Sequence, residues 1–269
     1  MTHGILRLAA SGALLASLAA AQKLEVDLVD DQVLKERLAS GAVPYDARQA
    51  RIEELFHQAG CPVEELRVDK TSADVICALP GQTNAVIAVG GHFDFVTAGT
   101  GIVDDWSGAS MLASLYQALK IRPRRHTFLF IAFAAEEKGL VGSSRYVRNM
   151  TREQRARVRA FVNLECLGLT PPKVWLSRAT PALVARLDEV AGALHVHVDG
   201  VNVERVGDDD SHPFLSAQIP VITIHSLTQD TFPILHSKRD RMEAIHFDDY
   251  YAAFKLVSCY LAYLDVKLD

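Results

Sequence analysis

Two histidines and a set of carboxylates fall where this chain could gather them for chemistry. His92 and Asp94 follow a glycine pair, and Asp104 and Asp105 come a dozen residues later. Glu136 and Glu137 are adjacent, Glu165 stands before Cys166, and His236 opens the run His-Ser-Lys-Arg-Asp. Carboxylates crowded together repel one another unless a cation sits among them. Mixed imidazole and carboxylate donors select zinc or a similar divalent ion over calcium or magnesium. A set of five such ligands suits two ions sharing one carboxylate, about 3.5–4 Å apart, which make water a nucleophile near neutral pH.

The elements that must bring these residues together are legible as hydrophobic runs. Ala85–Gly91 (AVIAVGG) is continuously apolar, the pattern of a strand covered on both faces. His126–Ala135, Ala160–Cys166 and Ile219–His225 read the same way. Positions 108, 112, 115 and 119 form a helical stripe, as do Tyr250, Phe254, Val257, Leu261 and Leu264. Short strand-like runs lie near 65–68 and 74–79, and 27–58 is polar and compatible with helix. Buried strands alternating with amphipathic helices predict an α/β fold, a three-layer α/β/α sandwich with a mixed, mostly parallel central sheet. In such sheets ligands bind beyond the carboxyl ends of the strands. Each chemistry-bearing group follows one of these runs or lies in a later loop.

Composition narrows the class. The 269 residues carry 28 basic and 33 acidic side chains, a net charge of −5, with 49% hydrophobic and 23% charged residues. That is the make-up of a folded domain, and a mildly acidic chain without a basic run is not built to hold nucleic acid. Residues 1–21 differ: after Arg7, Leu8–Ala21 is uncharged and ends Ala-Ala-Ala before Gln22. This pattern predicts a cleaved export signal, too short to span a bilayer, with a structural N-terminal helix as the alternative. The expectation is a secreted or periplasmic protein whose mature domain, residues 22–269, does not enter a membrane. Export permits disulfides; Cys61 and Cys77 flank a strand-rich stretch and are the favoured pair, buried thiols being the other reading.

Six runs, in order, resemble metallopeptidase family 28, the zinc-dependent aminopeptidase-like exopeptidases. They are GGHFD, DDWSG, AAEEKGLVGS, the acid Glu165, DDSHPF and HSKRD, spread from Gly91 to Asp240. The resemblance implies a peptide substrate cleaved at its terminus, aminopeptidase action foremost, and zinc, with two ions expected and one possible. It places His92 and Glu165 on one ion, Glu137 and His236 on the other, Asp104 across both, and Glu136 as general base. It also implies a cis peptide at Asp104–Asp105. Asp94, two residues from His92 and so on the same side of a strand, is expected to accept the second N–H of the imidazole. Rival readings are a glutaminyl-cyclase-like acyltransferase, which shares the fold, and a peptide-binding module that has lost its metals.

Two departures from the family pattern stand out. Glu165 occupies a position usually held by Asp, and Leu235 the place before the last histidine where many members have Tyr. Asp210, in the acidic run before Ser211, is expected to shape the substrate pocket. His225 reads as a core histidine, His195 and His197 as solvent-facing positions on a short strand, and Trp106 as packing for a helix start.

Overall fold

The computed structural model describes residues 5–8, 24–204 and 207–269. Of the stretch expected to direct export, only the backbone of Ile5–Leu8 falls among the described residues. In chain order the first half comprises β1 (Ile5–Leu8), β2 (Leu24–Asp27), α1 (Asp31–Ala39), α2 (Arg48–Gln58), β3 (Val63–Arg67), β4 (Ala73–Leu79), β5 (Val86–His92) and α3 (Ser107–Leu119). The second half comprises β6 (Thr127–Phe133), α4 (Val141–Asn149), α5 (Arg152–Arg157), β7 (Val158–Glu165), β8 (Lys173–Val174), α6 (Pro181–Leu194), β9 (Asp199–Gly200), α7 (Ser211–Ser216), β10 (Val221–His225) and α8 (Phe247–Lys267).

Eight strands form one mixed sheet in the order β3-β4-β6-β5-β7-β10-β8-β9. Its centre, β6-β5-β7-β10, is parallel, and β4 and β8 join it antiparallel on either side. Side chains on a strand alternate between faces, and the central strands supply two cores. Ile87, Val89, Phe130, Val162 and Ile224 pack against α1, α2, α3, α6 and α8. Ala88, Ile131, Phe133, Phe161 and Val221 meet α4 and α7 on the other face, where the rings of Phe161 and Phe214 stack 3.8 Å apart. The three-layer sandwich expected from the hydrophobic runs is the observed fold.

Cys61 and Cys77 form a disulfide with their Cα atoms 6.0 Å apart, tying the residues after α2 to β4; Cys166 and Cys259 are buried free thiols. One local expectation fails. Residues 195–198 form no strand: α6 ends at Leu194, and His195 caps it in a left-handed conformation, φ 55°. His197 is exposed, as expected, and pairs with Asp199 at 2.7 Å.

Candidate metal centre

The parallel strands deliver their C-terminal ends to one edge of the sheet, and the polar groups gather there. His92 ends β5 and Glu165 ends β7; Glu136 and Glu137 sit in the turn after β6. Asp104 comes from the irregular turn Ile102–Trp106 before α3, and His236 from the loop beyond β10. Asp104 divides its carboxylate between the two histidines: Oδ1 lies 3.3 Å from His92 Nε2, and Oδ2 3.2 Å from His236 Nε2. Glu165 Oε1 is 3.6 Å from His92 Nε2, and Glu137 Oε2 is 3.0 Å from His236 Nε2. Two triads therefore share Asp104, the ligand atoms of each lying within 4.8 Å of one another. Glu136 belongs to neither triad, yet its Oε2 is 3.8 Å from His92 Nε2.

The backbone around these residues is bent hard to hold them. Ala135, Leu140, Cys166 and His236 all have φ between 48° and 57°. Left-handed conformations cost a non-glycine residue about 1 kcal/mol each, so the surrounding contacts must impose them. The N–H groups of Gly139 and Leu140 both donate to the Glu136 carbonyl at 2.8 Å, closing a turn that sets Glu136 and Glu137 apart. The peptide Asp104–Asp105 is cis. Asp105, fully buried, accepts from the backbone N–H of His92 (3.2 Å), Gly108 (3.0 Å) and Cys166 (2.9 Å), and so braces β5, α3 and β7. Gly108 admits that carboxylate: a Cβ there would come 2.4 Å from Asp105 Oδ2.

Asp94 does a different job from the one expected. The His92 Nδ1 faces the Asp94 backbone carbonyl at 3.1 Å, whereas the carboxylate is 3.7 Å away, beyond hydrogen-bond reach. That carboxylate accepts the N–H groups of Glu136 (2.9 Å) and Glu137 (3.3 Å). Asp210 also departs from expectation. It is buried, with no hydrogen-bond partner for either oxygen among the described residues, while Asp208 and Asp209 line the cavity instead. Asp210 stands immediately before the short helix α7 and makes no side-chain cap to it. His225 is a satisfied core histidine, with Nε2 3.0 Å from the Val201 carbonyl and Nδ1 accepting the Leu227 N–H at 3.0 Å. Burial holds it neutral, lowering its pKa to about 4. Trp106 is buried and donates its indole N–H to the Arg37 carbonyl.

Arg48 is a residue that sequence reasoning missed. Fully buried at the start of α2, it donates to the carbonyls of Thr100, Gly101 and Phe93 and lies over the rings of Phe95 and Trp106. It thereby holds the turn that carries Asp104. Asp240 secures the same turn by accepting the Val103 N–H at 2.7 Å. In sequence Arg48 is one charge in a polar helix, and nothing in its neighbours marks it as buried.

The carboxylates and imidazoles of the two triads shift one another's titration strongly. Burial raises the pKa of Glu136 well above the usual range and that of Glu137 to about 7, the nearby Asp104 charge adding to both. Burial raises Glu165 as well. Asp104 goes the other way: burial would raise it, but hydrogen bonds from His236 and His92 hold it well below the usual carboxylate range. The bond to Asp104 lifts His236 to about 9. The second oxygen of Glu137 is buried with no partner among the described residues. Imidazole nitrogen and carboxylate oxygen in this arrangement, with a buried oxygen left over, fit one divalent ion per triad. The centre opens into a cavity of about 240 Å³, walled on its apolar side by Trp175, Val203, Leu227 and Leu235.

Known proteins resemble this chain to different depths. A leupeptin-inactivating enzyme of Streptomyces exfoliatus is 30% identical over 155 residues, 56% of this chain and 35% of that protein. Aminopeptidase YwaD of Bacillus subtilis is 28% identical over 172 residues, 60% of this chain and 37% of the relative. The chain thus spans little more than a third of the length of these curated relatives. Among solved structures, BSAP, a zinc aminopeptidase from Bacillus subtilis, superposes with a TM-score of 0.65 at 25% identity, over 71% of this chain and 49% of that one. A glutaminyl cyclase of Porphyromonas gingivalis shares the fold at a TM-score of 0.71 and 18% identity, over 87% of this chain and 98% of its own. The family description that matches residues 74–261, well over half of the chain and every residue of the two triads, is peptidase family M28, and to that family the chain belongs.

Proposed function

We propose that the chain is a zinc-dependent exopeptidase of the aminopeptidase kind, which hydrolyses the bond between a free N-terminal residue and the rest of a peptide. The observation that carries this reading is the division of labour around Asp104: two triads share its carboxylate, while Glu136 stands beside them and joins neither. His92, Asp104 and Glu165 would hold one ion, and Asp104, Glu137 and His236 a second. When bound, such ions supply Lewis acidity, polarising a carbonyl and making water nucleophilic near neutral pH.

The protein's own groups do the rest. Glu136 takes the proton of the attacking water on its carboxylate and passes it to the leaving amine. Asp94 fixes where Glu136 stands, through its backbone. The carboxylates gathered around the cavity, Asp104, Glu136, Glu137 and Glu165, give it an acidic lining that a substrate ammonium seeks. The apolar wall of Trp175, Val203, Leu227 and Leu235 suits an uncharged side chain. Leu235, where a tyrosine could otherwise donate, offers no hydrogen bond to a developing oxyanion.

Export is part of the same reading. The uncharged stretch after Arg7 supports it, and so does the Cys61–Cys77 disulfide, which persists in oxidising compartments.

Chromogenic aminoacyl anilides test the function. Turnover that a chelator removes and zinc restores is expected. Turnover indifferent to chelator would contradict the proposal. So would inertness towards every anilide and peptide, combined with ammonia release from N-terminal glutaminyl peptides.

A further inference from the structure

A second cavity, of about 460 Å³ and open to solvent, adjoins the metal centre, sharing Gly139, Leu140 and Asp208 with it as a common wall. Its charge is opposite. Arg148, in the last turn of α4, and Arg155, on α5, both line it. Among the described residues neither guanidinium has a hydrogen bond or an acid partner, and Arg155 Nε is shut off from water. Asp208, the one acid among the described residues that line the cavity, is already engaged, its two oxygens held by Arg178 and His212. Two free guanidiniums beside a neutralised acid select an anion, and their planar forks match a carboxylate.

We propose that this cavity is a carboxylate subsite for short peptides: Arg148 and Arg155 receive a carboxylate downstream of the scissile bond while the N-terminal residue occupies the metal centre. The assignment rests on the exopeptidase reading. An extended chain advances about 3.5 Å per residue, so a carboxylate two or three residues on lies about 7–10 Å away, a span suited to adjoining cavities. Two sources offer this group, the free C-terminus of a di- to tetrapeptide and an acidic side chain just past the cleaved bond. The substrates favoured would be the small peptides left by endopeptidases rather than intact proteins.

Steady-state kinetics on the zinc-loaded enzyme separates the possibilities. Three tripeptide-scale substrates share the N-terminal residue that serves best in anilides: a Gly-Gly free acid, its C-terminal amide, and a glutamyl amide. The free acid is expected to have a KM about fivefold below the amide, a modest ratio because both arginines are partly solvated. Salt at about 0.5 M should shrink that advantage. R148Q/R155Q should bring the ratio to about one, and R148K/R155K should retain part of it. R148Q alone, at an exposed position, gives the same answer in smaller measure should the double variant fail to fold. Preference for the glutamyl amide instead would support the subsite, with the side chain as the source of the carboxylate. Equal KM for all three, or an advantage that survives R148Q/R155Q, would overturn it. Should no peptide be cleaved, the exopeptidase reading fails separately, and calorimetry with the same acid and amide decides the subsite. Tighter binding of the acid that R148Q/R155Q abolishes upholds it, and equal binding refutes it.

Discussion

The carboxylate of Asp94 accepts the backbone N–H of Glu136 at 2.9 Å. Its other oxygen takes the N–H of Glu137 at 3.3 Å, so one side chain just beyond β5 anchors the turn that carries both glutamates. Glu136 and Glu137 are thus placed through their main chain, leaving their carboxylates free for different tasks. Asp94→Asn keeps one acceptor and turns an amide N–H towards the other donor. It should lower kcat by about tenfold, the lower end of what partners of a metal site cost, while zinc content holds. Kinetics alongside elemental analysis reads both; a large loss of zinc with intact kcat per bound ion would assign Asp94 to metal retention instead.

Glu136→Gln should reduce kcat by about a thousandfold, since the amide cannot accept the proton, and leave zinc bound. Asp104→Ala should lose zinc together with activity, because both triads share that residue. Full turnover by Glu136→Gln on every peptide tried would remove it from the reaction.

His225 makes stability depend on pH in a defined window. Its pKa falls from the ordinary 6.5 to about 4 on folding, because burial disfavours the charged ring. The unfolded chain therefore binds the proton first. The neutral ring's contribution is complete above pH 6.5 and is lost as the pH falls from 6.5 towards 4, about 3 kcal/mol in all. With chelator present throughout, the wild-type Tm should drop across this interval by roughly 8 °C more than that of His225→Gln. Parallel curves would show that His225 carries its proton in the folded state.

The Cys61–Cys77 bond closes a 16-residue separation, and chain entropy alone assigns such a link about 3 kcal/mol. Cys61→Ala with Cys77→Ala should lower the urea midpoint without altering activity in the folded baseline. An unchanged midpoint would mean that the bond adds nothing beyond the core into which both residues are packed.

Much of this molecule could be read from its residues. The strands ending at His92 and Glu165 announced themselves as unbroken apolar runs, since each is covered on both faces, and the acids beyond them lie where parallel sheets present their side chains. What escaped depends on long-range contact. Arg48 meets Thr100 and Gly101 across some fifty residues, and no local pattern records that. The spacing predicts that Asp94 reaches the imidazole two residues away, but its carboxylate spans to the turn after β6 and leaves its own carbonyl for His92. Asp210 is buried just before α7, and the residues after α6 leave the helix without becoming a strand. Those outcomes turn on how a loop settles rather than on the types of residue in it.

The central claim is that Asp104 joins two metal sites. Anomalous scattering at the zinc edge, on crystals of zinc-loaded protein, tests it most directly. Two peaks about 3.5–4 Å apart are expected on either side of Asp104, one facing His92 and Glu165, the other Glu137 and His236. A lone peak away from Asp104, or zinc bound elsewhere on the chain with both triads empty, would contradict it.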